Sequence, residues 1–288
     1  MLTRCFTRFL VVTLMPAAAC FFFVPQLEAQ EKRIEQSKPA EIPDGATREP
    51  MLGNDGSTVY RDGNTLWIDL DQDSIQAGRA TIPRLCAPIR SLRWHGESDT
   101  ELKFVPEIDH WVFSWKQSPK ASRLIEVVFD GDPVLPEHCP SASPAGDGSV
   151  MMFAHQASTF GEKLRFEPQW YKNTVGYWTV ATDYATWELT IDTPGAYSVA
   201  VLQGCGEGQG GSDAVMTLTQ GDTKAAELVF QINETGHFQN FRWNDLGNIV
   251  IENVGKYTLR VGAKRIAKGA LGDIRMIHLV KQADRPKG

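Results

Sequence analysis

The chain lacks most of what a nucleic-acid-binding, membrane-embedded or zinc-binding protein needs. Its 288 residues hold no run of lysine or arginine, and the formal net charge is −6. An acidic chain without a basic cluster argues against nucleic acid and anionic lipid as partners. After the apolar run Phe9 to Val24, no segment is long enough to span a bilayer. Cysteine is scarce, with five residues and neither a CxxC motif nor a Cys/His spacing that would hold zinc. There is no G-x-S-x-G elbow, and His155, His237 and His278 have no identifiable nucleophile partner. No amphipathic helix longer than two turns can be traced, so the strand–helix alternation of an α/β enzyme is missing.

What is present begins with an export signal. Arg4 and Arg8 precede the apolar run, and Leu27-Glu28-Ala29 offers a small residue before a charged segment. That layout predicts a secretory signal peptide over 1–29, which makes the product secreted or periplasmic and free of membrane contact. An uncleaved anchor and a lipid-modified Cys20 are the alternatives. Residues 30–56 are polar and proline-punctuated and read as a linker. Cys86, Cys139 and Cys205 remain after cleavage, an odd number that cannot form a complete disulfide framework. Cys86 and Cys139 fall in one half, and export permits a bridge between them; three buried free thiols are the alternative.

From Thr58 the pattern is strand-like. "TVYRDGNTLWIDLD" places Asp62-Gly63 between two β-prone runs, a hairpin signal. Residues 136–149, rich in Pro, Ser and Gly, read as a second linker between domains 57–135 and 150–282. In the later domain "WELTIDTPGAYSVAV" and "NIVIENVGKYTLRVGA" share one design, alternating apolar and polar positions around a Gly-containing turn. Period-two alternation with one polar face suits an antiparallel sheet packed on one side. The fold class is therefore all-β, with two β-sandwich domains.

Two motifs fail on context. "GCGEGQGG" contains a formal G-x-G-x-x-G, but "SDAVMTLTQGD" after it alternates as a strand, whereas a dinucleotide site needs a helix there. The glycines are expected instead to let backbone approach a ligand or a neighbouring loop. Carboxylates are plentiful, and no pair among them marks a glycosidase by spacing alone. Asn233-Glu-Thr is a glycosylation sequon, meaningful only in a eukaryotic host.

The aromatic stretch "QWYKNTVGYWTVATDYATWEL" carries Trp170, Tyr171, Tyr177, Trp178, Tyr184 and Trp187, far above the chain's 10 % aromatic content. Trp187 shares the inward phase with Leu189 and Ile191. Adjacent rings cannot both point inward from a regular strand, so one ring each of Trp170-Tyr171 and Tyr177-Trp178 is expected on a loop or outer face. A flat ring there suits the apolar face of a pyranose, with Asn, Asp and Gln taking hydroxyls.

The segments "FGEKLRFEPQWYKNTVGYWTVATDYATWEL", "GAYSVAVLQGCGEGQGGSDA", "TGHFQNFRWNDLGNIVI" and "GALGDIRMIHLVK" resemble the carbohydrate-binding-module-like domain behind secreted bacterial α-L-fucosidases and some sulfatases. The resemblance covers about residues 150–281 and implies a galactose-binding-like jelly roll, similar to family 6 and 35 carbohydrate-binding modules. More distantly, "DGNTLWIDLDQDSIQAGRATIPRLCAPIRSLRW" through "RLIEVVF" resembles the small β-sandwich that follows the fucosidase barrel. A catalytic barrel takes about 250 residues, and only the signal and linker precede Thr58.

The resemblance thus implies an exported, non-catalytic glycan-binding protein, accessory to polysaccharide degradation, with an oligo- or polysaccharide as partner. A fucosidase-type glycoside hydrolase or accessory fragment is one alternative; a protein-interaction module of the cell envelope is another. No cofactor is expected. Related modules often hold a structural calcium with acidic residues where this chain has His155 and Gln156. The expected sugar platform is Trp178 with Tyr177, Trp170 or Tyr171. Its expected polar partners are Asn173, Asp183, His237, Asn240 and Asp273, from segments that the resemblance places on loops.

Overall fold

The computed structural model describes residues 38–97, 100–120 and 122–283. The signal segment 1–29 and the start of the 30–56 linker lie outside them. The residues from Pro43 onward form one compact unit. Among the described residues no helix is long and apolar enough to cross a membrane.

The first half is a sandwich of two antiparallel sheets. Strands β1 (Thr47–Arg48), β2 (Ser57–Asp62), β3 (Thr65–Leu70), β5 (Ile89–Trp94) and β8 (Leu124–Phe129) form one sheet, in the order β1-β2-β3-β8-β5. Strands β4 (Arg79–Pro83), β6 (Lys103–Pro106) and β7 (His110–Ser114) form the other. β2 and β3 make the hairpin, turning at Gly63 with φ 55°. Helix α1 (Gln72–Ala77) runs from an Asp71 cap, whose carboxylate accepts the Ser74 N–H, to a left-handed Gly78. Trp111 stacks on Phe129 at 6.1 Å, joining the two sheets through the core.

The linker reading of 30–56 needs correction over its last part. β1 pairs with β2, and Leu52, 4 % exposed, sits in the core. This stretch buries single residues between turns and so shows no period for a sequence reading to detect. The 136–149 connection is also packed. Ala142 N–H donates to Glu188 O, and Thr190 N–H to Ala142 O, so the connection lies along a strand of the second half.

That second half is a jelly-roll sandwich. One sheet has the order β10 (Ser158–Phe160), β13 (Tyr184–Ile191), β18 (Gly255–Arg265), β15 (Asp213–Gln220), β16 (Thr223–Gln231). The other has the order β11 (Arg165–Glu167), β12 (Thr174–Gly176), β19 (Asp273–Lys281), β14 (Gly195–Gly204), β17 (Arg242–Ile251), and β9 (Val150–Phe153) also pairs with β19. Inward residues such as Trp187, Leu189, Val199, Val201, Leu259 and Ile277 fill the space between them. The two repeated turns are built alike: the Tyr197 hydroxyl donates to Thr193 O and the Tyr257 hydroxyl to Asn253 O. Each buried tyrosine thereby satisfies its polar tip while its ring packs in the core.

Candidate functional site

Three loops at one end of the jelly roll meet around a cavity of about 240 Å³. They come from "YKNTVGYWT", "HFQN" and "GALGD". Its lining includes Glu167, Lys172, Tyr177, Phe238, Gln239 and Asp273.

Glycines bring the loops together. A Cβ on Gly204 would stand 1.9 Å from Phe238 O, and one on Gly206 would stand 2.7 Å from the Phe238 ring. The Gly-rich turn therefore serves as the seat of the Phe238 loop. Thr235 clasps it, its hydroxyl accepting the Cys205 N–H at 2.8 Å. At the cavity floor, a Cβ on Gly176 would stand 2.6 Å from a Glu167 carboxylate oxygen and 3.0 Å from one of Asp273. A side chain at this position would press on both carboxyl groups.

Their electrostatics differ. Glu167 is ion-paired with Lys172. Burial alone would lower the Lys172 pKa, but the hydrogen bond and charge of Glu167 outweigh it and raise the value. Asp273 is buried, and among the described residues no hydrogen bond holds its carboxyl. Burial first, and the Glu167 charge second, push its pKa well above the ordinary carboxylate range, with Lys172 offsetting part of the rise. That shift favours the protonated form, in which a carboxyl both donates and accepts.

Tyr177 is the exposed wall, 45 % accessible, with the Arg165 guanidinium 4.1 Å from its ring centroid. Its φ of 60° is unusual for a bulky residue, and Asn173 also has positive φ, at 41°. Strained backbone of this kind clusters at ligand sites.

Several expected site residues stand elsewhere or do other things. Trp178 is a core residue, 1 % exposed, and its indole N–H donates to Asp183 O at 3.1 Å. Its inner edge backs the cavity, but its face is not free for stacking. Asp183 is buried because its carboxylate accepts the N–H groups of Glu162, Lys163 and Leu164, which shapes a turn. Trp170, 63 % exposed, and Tyr171 sit on a turn and line a different cavity of about 300 Å³ with Ile89, Leu92 and Phe104. His237 and Asn240 are exposed and brace their own loop: His237 Nδ1 accepts the Gln239 N–H, and the Asn240 amide donates to Thr235 O. Asn173 presents a buried side-chain oxygen with no hydrogen-bond partner among the described residues and is not in the cavity lining.

The structure thus brings together Tyr177 and Asp273 from the expected set, with Trp178 as a buried backing, and adds Glu167, Lys172, Phe238 and Gln239. Lys172, Phe238 and Gln239 each sit next to an expected residue, and Glu167 lies three positions before Trp170. In tight loops, neighbouring side chains alternate between bracing and lining. The possible Cys86–Cys139 bridge is not formed; both are free thiols, as is Cys205. Among the described residues no cluster of three or more His, Cys, Asp or Glu is placed to hold a metal ion.

No protein-family model matches the chain, and no curated protein matches it. Among solved structures, it is similar to the C-terminal family 6 carbohydrate-binding module of a Zobellia galactanivorans laminarinase. That likeness has 16 % identity over 46 % of this chain and 99 % of that one, with TM-score 0.38. A family 35 module from Clostridium thermocellum gives 14 % identity over 46 % and 98 %, with TM-score 0.36. An α-L-fucosidase from Vibrio gives 12 % identity with TM-score 0.33; the likeness covers 82 % of this chain and only 42 % of the fucosidase's length.

Proposed function

We propose that this is an exported, non-catalytic glycan-binding protein, accessory to polysaccharide breakdown, whose site is the cavity beside Tyr177. In this reading residues 1–29 are removed on export, and 57–135 and 150–282 are two modules joined by 136–149. The observation that carries the reading is Asp273, a buried carboxyl with a raised pKa that lines the cavity and that, among the described residues, no hydrogen bond holds. It offers a donor and an acceptor to sugar hydroxyls, while Tyr177 and Phe238 offer apolar surface to the C–H face of a pyranose. At about 240 Å³ the cavity is smaller than the ~300–1,000 Å³ of drug-sized sites, which suits one sugar unit at a chain end or branch. Binding with Kd near 1 mM needs only about −4 kcal/mol, within reach of one stacked ring and a few hydrogen bonds.

A glycan array with wild type, Asp273→Ala and Tyr177→Ala tests this. Wild type is expected to bind a defined set of glycans that both variants lose. A wild type that binds none, on an array that includes plant, algal and bacterial polysaccharides, contradicts it.

One observation favours a second reading, hydrolysis: Glu167 and Asp273 hold neighbouring carboxyls in unlike surroundings, one ion-paired with Lys172 and the other buried without an ion pair, as acid/base pairs are. Enzymes accelerate their reactions by at least ~10⁶-fold, so an aryl-α-fucoside assay separates the two. Non-catalytic binding predicts release no faster than buffer. Turnover abolished by Glu167→Gln supports hydrolysis.

A further inference from the structure

Tyr177 follows β12 as an exposed residue, with its backbone at φ 60°. A ring so placed has no core to fix its rotamer. The group that meets it is Arg165, whose guanidinium lies 4.1 Å from the ring centroid. Arg165 is absent from the cavity lining, so it bears on the ring from outside. Lys172 Nζ, at 5.8 Å, is a second cation near the ring, but Lys172 lines the cavity and is committed to Glu167.

Arg165 is itself held by the first half. It opens β11, its side chain is only 12 % exposed, and Nη1 donates to Pro106 O at 2.8 Å and to Glu107 Oε2 at 2.6 Å. Nε donates to Lys163 O at 3.2 Å, which fixes the plane of the guanidinium. Pro106 ends β6, and the Glu107 N–H donates to His110 O, closing the turn into β7. The rest of β11 leans the same way. Arg84, just after β4, holds its guanidinium 5.5 Å from the Phe166 ring centroid, and Ile89 N–H donates to Pro168 O at 2.7 Å. β11 has three residues and stands at the edge of its sheet beside β12, yet it carries Glu167 at the cavity floor. The first half supplies on its outer side the support that a further strand would give.

We infer that, given the glycan reading of the cavity, Arg165 and Glu107 are its positioning residues, through which the first half fixes the ring of Tyr177 for the sugar. Neither touches the ligand; contact runs from Glu107 to Arg165 to Tyr177. The two halves then work as one binding unit rather than as a module and a spacer. Lysine cannot replace Arg165 here, because an ammonium lacks both the planar face for the ring and the several donors that reach Pro106, Glu107 and Lys163 at once.

The test is NMR on the full chain, free and with a glycan selected on the array, for wild type, Glu107→Ala, Glu107→Gln, Arg165→Lys and Tyr177→Leu. In the free wild type the Arg165 guanidinium signals are expected upfield, under the Tyr177 ring, a displacement that Tyr177→Leu removes and Glu107→Ala reduces. Glu107 is partly exposed, so Glu107→Ala is expected to keep the fold, with the free-state amides of Gln239 and Asp273 unmoved. Kd is expected to weaken about 3- to 10-fold in Glu107→Ala and in Arg165→Lys, the range of a lost cation–π contact. Glu107→Gln, which keeps an acceptor for the guanidinium, is expected to recover part of the affinity. On titration of Glu107→Ala the ligand-induced change at Tyr177 is expected to shrink while those at Gln239 and Asp273 persist; a merely structural role would scale all three together. A Glu107→Ala variant that binds as wild type does, or Arg165 signals that ignore Tyr177→Leu, overturns the inference and leaves the glycan reading standing. A wild type that binds no glycan ends both.

Discussion

Two pairs of adjacent rings lie seven residues apart in one stretch, and they end in opposite situations. Tyr177-Trp178 divides, with the indole in the core and the phenol over the cavity. Trp170-Tyr171 does not divide; both rings are exposed, edge to face at 5.7 Å, against the first half. The difference lies in backbone and tethering. Trp178 is tied through Leu271 N–H to its carbonyl and through its own indole N–H to Asp183 O, while φ of 60° swings Tyr177 outward. Trp170 and Tyr171 occupy a turn closed by Lys172 N–H to Gln169 O, where neither ring meets the core. Adjacency rules out two inward rings, but it does not say which outward ring faces a ligand.

Substitutions sharpen this contrast. Trp178→Ala is expected to cost about 3–5 kcal/mol, as a large core truncation does, with a large fall in melting temperature. That outcome reverses the expectation from sequence of a lost ligand site on an intact fold. A thermal shift of only a few degrees would mean that the indole is not core. Next in size, Gly204→Ala places a Cβ against the Phe238 carbonyl and is expected to cost about 1–3 kcal/mol, as overpacking does. Denaturant unfolding measures it, and glycan binding is expected to fall with it.

Tyr177→Ala is expected to weaken glycan binding by about 1–3 kcal/mol, by analogy with other ring-stacking losses, and to leave the melting temperature within a few degrees. Trp170→Ala is expected to change stability by no more than about 0.5 kcal/mol, as exposed positions do, and binding not at all. If the Trp170 variant loses binding while the Tyr177 variant keeps it, the two pairs have been assigned the wrong way round.

Much of the fold was legible because strands advertise themselves by period. Trp187, Leu189 and Ile191 alternate inward, and the "PGAYSV" and "VGKYTL" turns repeat one device that ends in a satisfied tyrosine. The Gly-rich turn was also legible as a place of close backbone approach, though not that Phe238 is what approaches. The ordered stretch around Leu52 escaped because isolated buried residues between turns carry no period. Glu167 and Lys172 escaped for another reason: a buried ion pair looks like any two solvent charges until tertiary structure removes the water. Asp183 looked like a ligand partner because a carboxylate that accepts three backbone N–H groups is a matter of loop geometry, invisible in composition.

The pH dependence of Asp273 is the smallest effect and the finest probe of the cavity. Its folded pKa is raised, so the folded state holds its proton where the unfolded chain has already released it. Stability from this group is full below the unfolded carboxylate pKa of about 3.9 and is lost as pH rises toward the folded value. Asp273→Asn is expected to flatten that slope and raise the melting temperature at neutral pH. A steeper slope in the variant would mean that Asp273 is ionised in the fold.

The most direct measurement is an NMR titration of the full chain with a glycan selected on the array. The account predicts shift changes centred on the amides of Lys172, Tyr177, Gln239 and Asp273, with the Trp170 and Tyr171 signals unmoved. Changes centred on Trp170 and Tyr171, or none at the Tyr177 cavity with a glycan that binds, would contradict it.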